Sequence, residues 1–135
     1  MKKIMFVDKE MLDVLVEEAK NSPRLRMNKD LRTSPEDNSQ RMLNALEPGT
    51  IVPIHRHRFS TETVAVLRGC VRQKYYNDEG ELIRAIVINA GSSCPFYVVP
   101  QGMWHCTECL ETGTIIFESK DGRYEPMDPS DVMAL

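Results

Sequence analysis

The chain has 135 residues, 41% hydrophobic and 27% charged, with 17 Lys and Arg against 20 Asp and Glu for a formal charge of −3. That length supports one globular domain with a real core and leaves no room for a second. The acidic balance argues against nucleic-acid and anionic-membrane partners, and no apolar run approaches the length of a bilayer span.

The start, Met1 to Asp8, is basic, but Asp8, Lys9 and Glu10 break its apolar run. No signal peptide is expected, and the expected location is the cytoplasm. Residues 8 to 20 read as a helix with Asp8 as its N-cap. Met11, Leu12, Leu15 and Ala19 form one apolar stripe, and Asn21-Ser22-Pro23 ends it. Residues 23 to 39 are polar and read as a long irregular loop, the kind of segment that is functional or mobile.

From Gln40 the pattern changes to short strands, predicted at 40–46, 50–57, 62–68, 70–76, 82–89, 95–99, 104–110 and 114–119. The turns between them carry glycine or proline, as in Glu47-Pro48-Gly49, Asn77-Asp78-Glu79-Gly80 and Pro100-Gln101-Gly102. Short strands at this interval indicate an all-β barrel or sandwich. Phe96, Tyr97, Tyr75 and Tyr76 read as core or pocket wall. The expected organisation is one domain over 1–135: helix and loop to 39, a β-barrel over 40–120, and a tail or short final helix over 121–135.

The chemistry concentrates in Gly49-Thr50-Ile51-Val52-Pro53-Ile54-His55-Arg56-His57-Arg58-Phe59-Ser60-Thr61-Glu62, with Gly69 following. On a strand, His55 and His57 leave the same face roughly 7 Å apart along the chain. Glu62 returns to that face after a polar turn, and it needs a partner because it opens the apolar run Val64-Ala65-Val66-Leu67. His105, in Pro100-Gln101-Gly102-Met103-Trp104-His105, completes the set. Imidazoles with a carboxylate bind a divalent metal while leaving positions open. His55, His57, Glu62 and His105 are therefore the expected metal ligands, for one divalent transition metal: Fe, Zn, Mn or Ni.

The four cysteines, Cys70, Cys94, Cys106 and Cys109, read as free thiols rather than disulfides or a second metal site, although Cys106-Thr107-Glu108-Cys109 has zinc-like spacing. Trp104 and Arg56 alternate away from the histidines beside them. Arg26, Asn28 and Arg41 are the candidate substrate-binding residues, since arginine grips phosphate or carboxylate through a fork of donors.

The spacing resembles the cupin superfamily. Its first motif is matched by Gly49, His55, His57, Glu62 and Gly69, and its second by Pro100, Gly102 and His105. The second motif departs in the distance from Gly91 to Pro100 and in Cys109, which stands in place of an asparagine. The resemblance implies a double-stranded β-helix, a small jelly-roll barrel, with a short N-terminal helix. Further segments are similar to the WbuC-family cupin fold metalloproteins: Arg26-Met27-Asn28, Gln40 to Thr50, Val66 to Gly69, and Glu118 to Pro126. Members of that family are typically encoded among genes for bacterial surface-polysaccharide (O-antigen) biosynthesis.

That likeness implies a metal-dependent isomerase or epimerase acting on a sugar or nucleotide-sugar. Such a reaction needs a general base, for which Glu62 and Tyr97 are the candidates. Two alternatives stay open: an Fe(II)-dependent dioxygenase, and a non-catalytic metal- or ligand-binding module. A homodimer is expected, because small jelly rolls pair their sheet edges.

Overall fold

The computed structural model describes residues 2–133, so the last two residues of the predicted tail lie outside the described part. Helix α1 spans Lys9–Lys20, and Asp8 caps it by accepting a 2.9 Å hydrogen bond from the Met11 amide. Eight strands follow: β1 Arg26–Asp30, β2 Ser39–Leu46, β3 Glu62–Arg68, β4 Cys70–Tyr76, β5 Leu82–Asn89, β6 Phe96–Val99, β7 Trp104–Cys109 and β8 Thr114–Asp121. A single 3-10 turn, Pro129–Asp131, lies near the end.

The strands form two antiparallel sheets, one in the order β1-β2-β8-β3-β6 and the other β5-β4-β7. This is the cupin jelly roll. Leu46, Val64, Val66 and Ile116 from the first sheet meet Val71, Ile88 and Cys109 from the second to make the inner core. Helix α1 covers the outer face of the larger sheet, where Leu15, Val16 and Ala19 pack on Leu43, Ala45 and Ile115. Each such side chain contributes roughly 1.5–3 kcal/mol by leaving water.

Two expectations are corrected. The polar stretch 23–39, read as a loop, contains β1, which pairs with β2 from Arg26↔Leu46 to Asp30↔Met42. Its side chains do not alternate in polarity because only Met27 of the five packs on the helix-side cluster. The run 50–57, read as a strand, forms only isolated bridges at His55, to His105 and to Val132. Pro53 has no amide proton to donate to a ladder.

The register explains why the barrel is apolar at one end and polar at the other. Along the inner face, the pairs Val66↔Ile116, Val64↔Glu118 and Glu62↔Lys120 follow one another. Burial of the first holds the fold together. The last brings opposite charges to the open end, beside the histidine-bearing segments.

Candidate metal centre

His55 and His105 are positioned by backbone. His55 donates to the His105 carbonyl at 3.0 Å and accepts from the His105 amide at 2.8 Å. His57 follows two residues on. The ligand nitrogens of His55, His57 and His105 all lie within 4.8 Å of one another, and their ring centroids are 4.3–5.2 Å apart.

Two of the rings are held in one tautomer. The Nδ1 atom of His55 lies 2.7 Å from the Pro53 carbonyl oxygen, and that of His105 lies 2.9 Å from the Met103 carbonyl oxygen. A carbonyl only accepts, so each Nδ1 carries the proton and each Nε2 keeps its lone pair. Burial lowers the pKa of both, that of His105 to about 4, so the rings are neutral near pH 7. Metal-ligating imidazoles are held in this way.

Glu62, 5% exposed, closes the group. Its carboxylate lies 3.3 Å from His57 Nε2, 3.9 Å from His105 Nε2 and 3.5 Å from Lys120 Nζ. Burial raises its pKa, but His57, Lys120 and His105 outweigh that and hold it down to about 2. The charge is thus retained inside the barrel. His57 Nε2 is buried and makes no aligned hydrogen bond despite the nearby carboxylate. Three converging imidazole nitrogens, one of them orphaned and buried, with the Glu62 carboxylate beside two of them, fit a divalent cation.

Beside His57, the one proposed ligand that lines it, lies a cleft of about 780 Å³ whose walls include Gln40, Arg58, Lys120, Arg123 and Tyr124. One layer down from Glu62 on the same face, half-buried Glu118 feels its charge. Burial, reinforced by the Glu62 charge, raises Glu118 to about 7.

Residues 7–88 match the family model described as Domain of unknown function (DUF6016). The chain belongs to that family. No curated protein sequence matches it.

Solved structures similar to this DUF6016 member are cupins. An oxalate oxidase superposes with a TM-score of 0.62 at 18% identity, over 76% of this chain and 54% of its own. KdgF from Halomonas sp. gives 0.58 at 18% identity, over 77% and 85%. A mutant of the Bacillus subtilis oxalate decarboxylase OxdC gives 0.59 at 22% identity, over 82% and 28%. The chain thus spans about half the length of the oxalate oxidase. At these identities the likeness establishes the fold.

The other predicted residues of this family member fall elsewhere. Arg41 is tied to Asp37 at 2.7 Å and to Ser39. Asn28 is exposed on β1, opposite Asn44. Arg26 is half-buried, with its Nε unpartnered and its charge felt by Glu118. None of the three lines the cleft. Burial raises the Tyr97 phenol well above its ordinary range, so it stays protonated and is no base at neutral pH.

Phe96 was expected in the core or pocket wall and is instead 60% exposed, because β6 is an edge strand that turns alternate residues outward. All four cysteines are free, and the single S–H of buried Cys109 has the Leu46 and Glu111 carbonyls within reach as acceptors. Trp104 is buried under Arg56, whose guanidinium lies 4.5 Å from the ring centroid. Lys120, Glu118 and Asp131 were not singled out. Glu118 and Lys120 belong to the WbuC-like segment Glu118 to Pro126, but nothing in the sequence places that segment under the site, and Lys120 lies outside the strand predicted at 114–119.

Proposed function

We propose that this chain holds one divalent transition metal on His55, His57, His105 and Glu62. In this reading it binds a sugar-class small molecule in the cleft that His57 lines, in bacterial surface-polysaccharide biosynthesis. The observation that carries the metal assignment is the convergence of three imidazoles, two of them with Nδ1 tied to backbone carbonyls and Nε2 free. A bound divalent metal supplies Lewis acidity to a ligand carbonyl or hydroxyl.

The chain's own residues do the rest. Glu62 brings a negative charge that offsets the cation, and Lys120 limits the cost of burying that charge when no cation is present. Glu118, held neutral up to about pH 7, is a proton donor one layer beneath the ligands. The sugar class is supported by the cleft's mixture of side chains. Half-exposed Tyr124 and strongly exposed Phe59 offer ring faces, and Gln40, Arg123 and Asp128 offer donors and acceptors for hydroxyls. The surface-polysaccharide role rests on the WbuC-like segments, and the same reading makes the protein a cytoplasmic homodimer. No helix among the described residues is long and apolar enough to cross a membrane.

The test is calorimetric titration of the metal-loaded protein with nucleotide-sugars and sugar phosphates, followed by product analysis. Saturable binding lost in His57→Ala supports the reading. Binding without turnover makes the protein a ligand-binding module rather than an isomerase. No binding across the panel removes the sugar assignment.

A further inference from the structure

Resting on the metal-centre reading, we infer that Asp131, in the C-terminal segment, is a positioning residue for His57. His55 and His105 each have a carbonyl that fixes the ring. Among the described residues, no carbonyl does this for His57. What holds it is the backbone on either side. Arg56 Nε donates to Asp131 Oδ1 at 2.8 Å, and Arg58 donates to the same oxygen through Nε at 3.1 Å and Nη2 at 2.8 Å.

Arg56 and His57 lie outside any strand, and Arg58 opens a turn. One carboxylate holding the side chains on both sides of His57 therefore restrains the backbone that aims the imidazole between them.

The surroundings make that pin firm. Asp131 is only 7% exposed. The Arg56 amide donates to the Asp131 carbonyl at 3.0 Å, Val132 bridges His55, and the Met133 amide donates to the Ile54 carbonyl at 2.9 Å. The histidine segment, which has no strand partner of its own class, thus lies between β7 on one side and residues 131–133 on the other. Arg56 also covers the ring of Trp104, the residue before His105. The tail and both histidine segments form one connected unit. The ion pairs are charge-assisted and share one acceptor, which gives them geometric specificity beyond attraction.

The experiment measures Co(II) and Zn(II) dissociation constants by chelator competition, together with the visible spectrum of the Co(II)-saturated protein. It compares wild type, Asp131→Asn, Asp131→Glu and Asp13→Asn. Asp13 also binds two cations, Lys9 and Arg68, but on helix α1.

Outer-sphere partners of metal ligands are worth roughly 10–100-fold in affinity. The expected result is a loss of about tenfold or more in Asp131→Asn, with an altered Co(II) band. Asp131→Glu recovers part of it and Asp13→Asn matches wild type. A merely structural role would lower thermal stability and leave the saturated spectrum unchanged. Wild-type affinity and spectrum in folded Asp131→Asn overturn the inference while the metal centre stands. Absence of stoichiometric metal in wild type overturns both. If Asp131→Asn does not fold, Arg58→Met decides: weaker Co(II) binding supports the inference, and wild-type affinity overturns it.

Discussion

His55 and His105 exchange both backbone hydrogen bonds across an antiparallel bridge, at 3.0 and 2.8 Å, and their rings stand 4.3 Å apart. Opposed residues in such a pair are held by main chain, whatever their side chains are. The first histidine motif is thereby fastened to the second before any metal is present.

Single substitutions of these histidines should therefore separate metal binding from folding. His55→Ala and His105→Ala are expected to keep the β-sheet circular dichroism spectrum of wild type and to lose stoichiometric metal. His105 is 2% exposed, so its variant also leaves a cavity and should melt at lower temperature. Full metal occupancy in both variants would remove these residues from the site.

The metal-free protein should have a stability plateau in mildly acid solution. His105 titrates near 6.5 when unfolded and about 4 when folded. Its contribution is full above 6.5 and is lost as pH falls through 4, because the unfolded chain then binds a proton that the folded one refuses. Glu118 runs the other way, from 4.5 unfolded to about 7 folded. Its contribution is full below 4.5 and is lost as pH rises through 7. Denaturant midpoints measured from pH 3 to 9 should fall on both sides of the interval between. Glu118→Gln should remove the alkaline fall; an unchanged fall would mean that another group causes it.

Gly69 joins β3 to β4 and so carries the chain from one sheet to the other. Its φ is +78°, and an added Cβ would lie 2.2 Å from Thr114 Oγ1 and 2.8 Å from Thr114 Cα. Gly69→Ala should cost about 3 kcal/mol or more, since backbone must move as well as side chain. Gly102 has a similar φ of +79° but open space around it, so Gly102→Ala should cost only about 1 kcal/mol. Equal losses in urea melts would mean that the contact with Thr114 is not what matters.

The homodimer reading has a surface to test. β5 and β6 are edge strands, and Ile83, Val87, Phe96 and Val98 on them are exposed. Exposed apolar edges invite pairing. Light scattering should give twice the chain mass for wild type and the single mass for Phe96→Lys/Val98→Lys. A monomeric wild type would end the dimer reading.

Much of this was legible in the chain because local rules and tertiary structure agree. The Asp8 cap and the Met11-Leu12-Leu15-Ala19 stripe become α1, and the predicted 62–68, 70–76 and 82–89 are the observed strands. The histidines were legible because the chain has only three.

β1 was not, since Arg26-Met27-Asn28-Lys29-Asp30 has neither period-two polarity nor β-branched residues. Nor was the role of Arg56 and Arg58, whose shared partner Asp131 lies far along the chain in a polar tail that no motif marks. Glu118 opens the WbuC-like segment Glu118 to Pro126, but nothing in the sequence gives it a place in the site. Only the register with Val64 puts it inside the barrel beneath Glu62.

The measurement that bears most directly on the metal centre is elemental analysis of protein purified without chelator or affinity-tag metal, beside His55→Ala/His57→Ala. One equivalent of a transition metal in wild type and none in the variant is the predicted result, and the element found names the cofactor. Equal metal content in the two proteins, or none in wild type after incubation with Fe(II), Mn(II), Ni(II) and Zn(II), would contradict the assignment.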